Sequence, residues 1–293
     1  MIIGAGAAGC ACAIQLKRQG LEPILFERDK VGGLARNANL IENYLGFPKG
    51  LSGEEFCNLL EMHLQELDIT IITENITKIS WNKPQTTFLL ESEKQNYSCH
   101  YLVVATGTKP KKLNIEGEKE LEKKGRLFYE PKNLPEKLKE NKRIIIIGSG
   151  DAAFDYALNM SSKNNYVTIV HRRKITCLPL LHERAVLDEH ISMKYANSIK
   201  HIAFTEHHSE EQVELFFNDG SKLTADYLLV AIGREPNTII PEKQLFKKVE
   251  NGHLFLAGDI IDYPLRQIAI AAGSGIKTAM KIAKKINENN SRE

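Results

Sequence analysis

The sequence predicts an α/β fold made of two three-layer domains, each with a parallel sheet, helices and a β-meander. Three observations predict it. A short apolar run enters Gly4-Ala-Gly-Ala-Ala-Gly9, and an Ala-rich helical stretch follows. A second apolar run, Ile144 to Ile147, enters Gly148-Ser-Gly-Asp-Ala-Ala153 in the same manner. After each turn come a second strand, a set of short alternating runs and a returning apolar strand.

Strand, tight glycine turn and helix N-terminus form a Rossmann-like unit. The glycines let backbone approach a pyrophosphate, and the free N–H groups at the helix start favour its negative charge. Here the unit occurs twice. A shift of 144 residues carries Gly4 onto Gly148, Gly6 onto Gly150 and Gly9 onto Ala153. Matching spacing over the whole strand–turn–helix–strand unit argues against two chance turns.

The second strands end differently. Ile24-Leu25-Phe26 closes on Glu27, about 20 residues after the glycines, where a carboxylate accepts hydrogen bonds from ribose hydroxyls. The equivalent strand, 166–170, closes on His171-Arg172-Arg173-Lys174. A carboxylate repels a 2′-phosphate, whereas arginine binds one bidentately. The first site is therefore expected to hold a dinucleotide with an unmodified ribose, and the second to hold NADPH.

The remaining elements follow in order. Val31-Gly32-Gly33-Leu34 and residues 41–48 read as loops, because Gly, Asn and Pro punctuate them. A helix is expected over 53–67, where Phe56, Leu59, Leu60, His63, Leu64 and Leu67 share a face, so His63 reads as a helix residue rather than a catalyst. Runs at 69–72, 76–79 and 88–90 read as a β-meander that returns as strand 101–104 into Ala105-Thr106-Gly107. Residues 108–143 are charged and contain prolines, and read as a linker into the second domain with an exposed helix or turns. Short strands around Met193, Ile199 and 213–217, with a hairpin signal at Asp219-Gly220, return as 227–231 into Ile232-Gly233-Arg234. A last strand, 253–257, enters Gly258-Asp259, and a helix is expected from Arg266-Gln267 to about Lys285. This piece has no counterpart in the second unit, so it is expected to complete the first domain. The expected boundaries are 1–112 with 240–293 for the first dinucleotide-binding domain, and 113–239 for the second, NADPH-binding one.

Composition is that of an ordinary globular chain: 293 residues, 42% hydrophobic and 26% charged. A formal net charge of +2 gives no reason to expect nucleic acid or membrane binding. No apolar run approaches membrane-span length and no signal-peptide lead precedes the first turn, which leads to an expectation of a cytoplasmic protein. The cysteines, Cys10, Cys12, Cys57, Cys99 and Cys177, form no C-x-x-C pair and no metal-ligand spacing. An odd count without a framework fits a reducing compartment. Cys10 and Cys12 read as buried structural thiols.

The two glycine turns, Glu42-Asn43, Ala105-Thr106-Gly107, His171-Arg-Arg173, Ala231-Ile-Gly233-Arg-Glu-Pro-Asn237 and Gly258-Asp259 with Arg266-Gln267 stand in one order. In that order the chain resembles the low-molecular-weight thioredoxin reductases and the ferredoxin/flavodoxin–NADP reductases of thioredoxin reductase type. The resemblance covers nearly the whole chain. It implies FAD and NADPH as cofactors, an FAD domain split around an inserted NADPH domain, and a homodimer. It places Gly4, Gly6, Ala7 and Ala8 at the FAD pyrophosphate and Glu27, with Arg28 beside it, at the adenosine ribose. Gly33, Leu34 and Asn43 fall along the flavin side and Ile76 near the adenine, with Ala105, Thr106 and Gly107 also in the FAD site. Gly258 and Asp259 fall at the ribityl chain, and Arg266, Gln267 and Ile268 at the flavin's N1–C2=O edge, where a helix dipole favours negative charge. For NADPH it implies Gly148, Ser149, Gly150, Asp151, Ala152, Ala153, His171, Arg172, Arg173, Ile232, Gly233 and Arg234.

Three departures qualify the resemblance. The thioredoxin reductases carry a C-x-x-C shortly before the second glycine turn, but residues 125–135 here contain no cysteine. A flavin passes an electron pair to a disulfide only when one sits against it, so ordinary thioredoxin reduction is not expected. The family's third arginine after His-Arg-Arg falls on Cys177, and the chain stops soon after its last helix, without the C-terminal extension of many ferredoxin–NADP reductases. The leading expectation is an FAD-dependent NAD(P)H oxidoreductase that feeds a carrier such as ferredoxin or flavodoxin. Lys109, Lys111, Lys112, Lys123, Lys124, Lys281, Lys284 and Lys285 would steer an acidic partner. The alternative is a thioredoxin reductase-like disulfide or small-electrophile reductase without the usual dithiol, with Cys177 or Cys57 as candidate thiols. A third reading is a flavin-binding sensor without turnover. No side chain is assigned as catalytic, because the flavin carries the chemistry.

Overall fold

In the computed structural model, residues 1–135, 138, 140–196, 198–207, 210–238 and 252–291 are described. The chain forms two compact units. One comprises Met1–Arg36, Ile41–Lys109 and Glu235–Glu293, and the other comprises Asn37–Leu40 and Pro110–Arg234. The sequence boundary expected at 239/240 lies outside the described residues.

The first unit is built on a five-stranded parallel sheet. Its strands are β1 (Ile2–Ile3), β2 (Ile24–Glu27), β3 (Thr70–Thr73), β7 (Leu102–Val104) and β18 (Leu254–Leu256), in the order β18-β7-β1-β2-β3. Strand periodicity sorts its side chains into two layers. Ile2, Leu25 and Val103 face the helices α1 (Ala7–Arg18) and α7 (Ile268–Asn290), where Ala8, Cys12, Leu16, Ala279 and Ile282 meet them. Ile3, Phe26, Leu102 and Val104 face the opposite way. They pack on an antiparallel meander of β4 (Ile76–Asn82), β5 (Thr87–Ser92) and β6 (Asn96–Cys99), through Ile76, Ile79, Phe88 and Leu90.

The second unit repeats the plan. Its parallel sheet runs β12 (Ile191–Tyr195), β11 (Tyr166–His171), β10 (Arg143–Ile147), β16 (Tyr227–Val230), β9 (Leu127–Phe128). Ile144, Ile146, Ile169 and Leu229 face α4 (Asp151–Ser161) and α5 (Pro179–Leu187). Ile145, Ile147, Leu228 and Val230 face the meander β13 (Ile199–His207), β14 (Glu210–Phe217), β15 (Lys222–Ala225). An unbroken Ile144–Ile147 run is what a strand buried on both faces requires.

Four sequence expectations change. The run at 69–72 is not part of the meander: as β3 it pairs in parallel with β2 at the sheet edge. Likewise the strand at Met193 is β12, parallel to β11, and only β13, β14 and β15 form the second meander. Residues 108–143 are more than a linker. Besides the expected helix, α3 (Glu118–Lys123), they hold β8 (Thr108–Pro110) and β9, which is an edge strand of the second sheet. β8 pairs with β17 (Arg234–Pro236), so the outgoing and returning connections run side by side. The last helix runs to Asn290, beyond the expected Lys285.

Two local devices set key helices. α2 (Gly53–Glu66) begins with a capping box: the Ser52 hydroxyl accepts from Glu55 N–H at 3.1 Å, and Ser52 N–H donates to the Glu55 carboxylate at 2.8 Å. These bonds hold the Glu55 carboxyl below its ordinary range. α7 crosses α1 closely because Gly275 has no side chain. A Cβ there would overlap the carbonyl oxygen of Ala8 and lie 3.1 Å from Cys12 N.

Gly273 and Gly275 give opposite expectations. Gly273 sits in the same helix, and a Cβ added to it would meet nothing within 4 Å. Gly273→Ala is expected to stabilise the protein by about 0.5–1 kcal/mol through helix propensity. Gly275→Ala is expected to cost about 2 kcal/mol or more by overpacking. Urea unfolding of the two variants measures both, and a Gly275→Ala variant as stable as the parent would refute the close-crossing account.

Candidate functional site

The first glycine turn is shaped for a phosphate group. Gly4 has φ +101°, donates its N–H to Phe26 O at 2.8 Å, and would place a Cβ 2.5 Å from Ala105 O. Gly6 caps α1 with no side-chain hydrogen bond, and the first helical turn carries no acidic residue. A Cβ on Gly6 would meet nothing within 4 Å, so the space in front of the helix start is open. Gly32 donates to Ala5 O at 2.8 Å and bridges Gly6, while a Cβ on Gly33 would lie 3.2 Å from Gly6 Cα. Unpaired N–H groups and open space at a helix start suit an anion.

Glu27 is aimed at this turn. Its carboxylate accepts from Ala5 N–H at 2.8 Å and from Asp29 N–H at 3.1 Å. Two backbone donors fix its orientation and leave lone pairs for ribose hydroxyls. Across the sheet, Gly258, at φ +75°, donates to the Ser274 hydroxyl at 3.0 Å, and its missing Cβ would lie 2.6 Å from Ala8 Cβ. Asp259 opens the short helix α6 (Asp259–Asp262), and Gln267 caps α7. The Asn43 amide donates to the Gln267 side-chain oxygen at 2.8 Å, which joins the 41–48 loop to that helix start. Arg266 Nε and Asp262 Oδ2 are buried with no hydrogen-bond partner among the described residues. Orphaned polar atoms beside an open helix start are what a polar cofactor would satisfy. These features fit FAD.

Other residues expected at FAD are placed as follows. Leu34 lies in a 3-10 turn, Gly33–Asn37. Arg28 is exposed, whereas Ile76 and Ala105 are buried, Ile76 in the core beneath the meander. The Thr106 hydroxyl donates to Asn237 O at 2.6 Å, and Gly107 O accepts from Asn237 N–H at 2.9 Å. These two therefore brace the returning connection.

The second glycine turn has the same form. Gly148 donates to Val170 O at 3.0 Å, and a Cβ there would lie 2.6 Å from Ala231 O and 2.8 Å from Ala153 Cβ. Gly150 caps α4, with Ala152 and Ala153 in its first turn. Asp151 also stands in that turn and accepts from Leu178 N–H at 2.8 Å. At the end of β11, His171 Nδ1 lies 2.9 Å from Arg173 O, and Arg172 and Arg173 are exposed. Small residues at the turn and exposed arginines at the strand end fit a phosphorylated dinucleotide. Ile232 and Gly233 continue from β16, and Gly233 O accepts from Lys111 N–H at 3.0 Å. Arg234 is nearly buried, with Nη2 2.8 Å from the Glu130 carboxylate. Its guanidinium is thus already paired within the unit. Sequence reasoning missed this pair, and it also missed the Glu118 carboxylate, which accepts from Tyr129 OH and, at 2.5 Å, from Asn114 N–H. Burial and then Glu118 push the Tyr129 phenol well above its usual range.

All five cysteines are reduced, with Cys10, Cys12 and Cys57 buried. Burial, and after it the charge of Glu27, pushes the Cys10 thiol far up; burial pushes Cys12 up to about 12. Cys57 packs under Gly32, where a Cβ would overlap its sulfur. Cys177 is partly exposed, and burial followed by Asp151 raises it. Residues 125–135 contain β9 and a 3-10 turn, Pro131–Asn133. Among the described residues no group of His, Cys, Asp and Glu could hold a metal.

The model of the family described as "Pyridine nucleotide-disulphide oxidoreductase" matches residues 1–275. The chain belongs to this family. It is 28% identical to the thioredoxin reductase of Coxiella burnetii over 96% of this chain and 93% of that protein. It is likewise 28% identical to that of Chlamydia pneumoniae, over 96% of both. The thioredoxin reductase structure from T. acidophilum superposes with a TM-score of 0.80 at 25% identity, covering 97% of each chain. This pyridine nucleotide-disulphide oxidoreductase is therefore a thioredoxin reductase-like enzyme that uses FAD and NADPH, on two Rossmann-like domains.

Two outcomes follow from this geometry. Glu27→Ala is expected to weaken FAD binding roughly tenfold to a hundredfold, the range for a lost charge-assisted hydrogen bond. Glu27→Gln, which keeps an acceptor for Ala5 N–H, loses less. Release of flavin fluorescence on dilution reads both. For Cys177, a raised pKa means the thiol persists to higher pH than an ordinary one. Its alkylation by iodoacetamide should be slow at neutral pH and rise about tenfold per pH unit until the thiolate forms. Mass spectrometry of labelled peptides checks this, and fast labelling at pH 7 contradicts it.

Proposed function

We propose that the enzyme is an NADPH-driven reductase of disulfides or small electrophiles in which no thiol of the protein relays electrons. Bound FAD supplies two-electron redox chemistry between NADPH and the acceptor. The chain's own residues bind and orient. The open N–H groups at α1 face the FAD pyrophosphate and Glu27 takes the ribose. The α7 start, braced by Asn43 and Gln267, offers its dipole to the flavin edge. In the second unit the turn 148–153 takes the NADPH pyrophosphate, and Arg172 and Arg173 take the 2′-phosphate. The FAD domain is then the unit that begins with Met1, and the NADPH domain is the unit inserted in it. A homodimer in a reducing compartment such as the cytoplasm completes the reading.

One observation carries the reading: residues 125–135 contain no cysteine, and the thiols elsewhere form no C-x-x-C pair. Cys10, Cys12 and Cys57 are buried, and Cys177 and Cys99 are held towards the neutral form. The segment where the resemblance would place a dithiol holds Tyr129 and Glu130 in hydrogen bonds and an ion pair instead. The family's description and the relatives' names favour a disulfide over a carrier protein as the acceptor. Hand-off to ferredoxin or flavodoxin is the second reading, since it too needs no dithiol. Its docking lysines lend it less support than expected. Lys109 pairs with Glu235 at 3.3 Å, Lys112 pairs with Glu122, and Lys284 pairs with Glu288 at 3.8 Å.

Anaerobic reduction by NADPH, followed by mixing with thioredoxin, small disulfides, quinones, ferredoxin, flavodoxin or oxygen, tests the proposal. The expected result is reoxidation by a small disulfide or electrophile at a rate unchanged in Cys57→Ala and Cys177→Ala. Reoxidation by a carrier protein alone transfers the case to the second reading. A large loss in either cysteine variant brings a thiol back into the mechanism.

A further inference from the structure

The segment between β11 and α5 carries Arg172, Arg173 and Lys174, all exposed. Exposed basic side chains on a loop ordinarily move and are screened by water and salt. This loop is fastened. Thr176 donates its backbone N–H to Ser149 O at 2.8 Å, and its hydroxyl donates to the same oxygen at 3.3 Å. Two residues on, Leu178 N–H donates to Asp151 Oδ1 at 2.8 Å. Pro179, the first residue of α5, has no N–H, so Leu178 supplies the last donor before the helix. At the other end, His171 Nδ1 lies 2.9 Å from Arg173 O and its ring stands edge-on to Tyr195 at 5.7 Å.

The anchors matter because of where they attach. Ser149 and Asp151 flank Gly150, which caps α4 in the turn expected to hold the pyrophosphate. A dinucleotide bound there spans from that turn to the end of β11. The strap therefore fixes the distance between the two groups that must both be met. Fixing the backbone that carries the two arginines beforehand lowers the ordering cost of binding.

We propose that Thr176, with Asp151, is a positioning residue for NADPH over NADH: it ties the basic loop to the glycine turn so that Arg172 and Arg173 meet a 2′-phosphate. This rests on the proposed placement of that phosphate. The loop carries two arginines and one lysine, so discrimination depends on how these are held.

Calorimetric titration of the full-length, FAD-loaded protein with NADP⁺ and with NAD⁺ tests the proposal without turnover. Thr176→Val keeps the shape and removes the hydroxyl. It is expected to weaken NADP⁺ about threefold to tenfold, the scale of one neutral hydrogen bond, and to leave NAD⁺ within about twofold. Asp151→Ala is expected to show the same selective loss relative to Asp151→Asn, which keeps an acceptor for Leu178. That comparison also cancels the charge change at the helix start, and it serves alone if Thr176→Val does not fold. Equal weakening of both nucleotides, or of neither, overturns the proposal, as does Asp151→Ala matching Asp151→Asn. Arg172→Ala tests the reading beneath it. If the parent does not prefer NADP⁺, or Arg172→Ala keeps the preference, the phosphate lies elsewhere and the strap proposal falls with it.

Discussion

Both halves of the molecule depend on backbone passing where no Cβ fits. Gly4 lies against Ala105 O and Gly148 against Ala231 O, with hypothetical Cβ contacts of 2.5 Å and 2.6 Å. In each case the carbonyl belongs to the end of the neighbouring returning strand, so the turn and that strand constrain each other. Any larger residue would push the helix start off the sheet. The open N–H groups of α1 and α4, the reach of Glu27 and the position of His171 all follow from these two close approaches.

Much of this was legible in the sequence, because glycine spacing and the residue at the end of the second strand report directly on backbone geometry and charge. Layering was legible too, since Ile2 and Ile3, or Ile144 and Ile145, face opposite layers as strand periodicity requires. Sheet membership was harder to read. The runs at β3 and β12 look like meander strands, because an edge strand of a parallel sheet shows the same short alternation. β9 has two residues, too few to carry a period. The fastening of the basic loop left no trace at all. Leu178 and, in part, Thr176 act through backbone N–H groups, which every residue except proline offers, and the partner of the Thr176 hydroxyl is a backbone carbonyl that no sequence pattern singles out.

The polar groups show a division of labour. Charges and hydroxyls that look available in the sequence are often engaged inside the fold: Arg234 with Glu130, Lys112 with Glu122, and Thr106 with Asn237. Those left to a cofactor are few, and they gather at helix starts and strand ends. Four of the thiols, Cys10, Cys12, Cys99 and Cys177, are by contrast shifted towards the neutral form, chiefly by burial. In the function proposed above, selectivity depends on placement and not on a reactive side chain.

The split of the first unit has a consequence for how the protein is made. β18 pairs with β7 through Leu254 and Leu102, so the first sheet lacks an edge until the chain has been synthesised past residue 254. The inserted sheet has its last strand by Val230. On the ribosome, where the chain emerges from its N-terminus, the later-starting unit is therefore the first able to close its sheet. Until then the earlier half-sheet waits with β7 unpaired on one side. Translation of the β18 stretch, long after that of the first glycine turn, decides when the first sheet is whole.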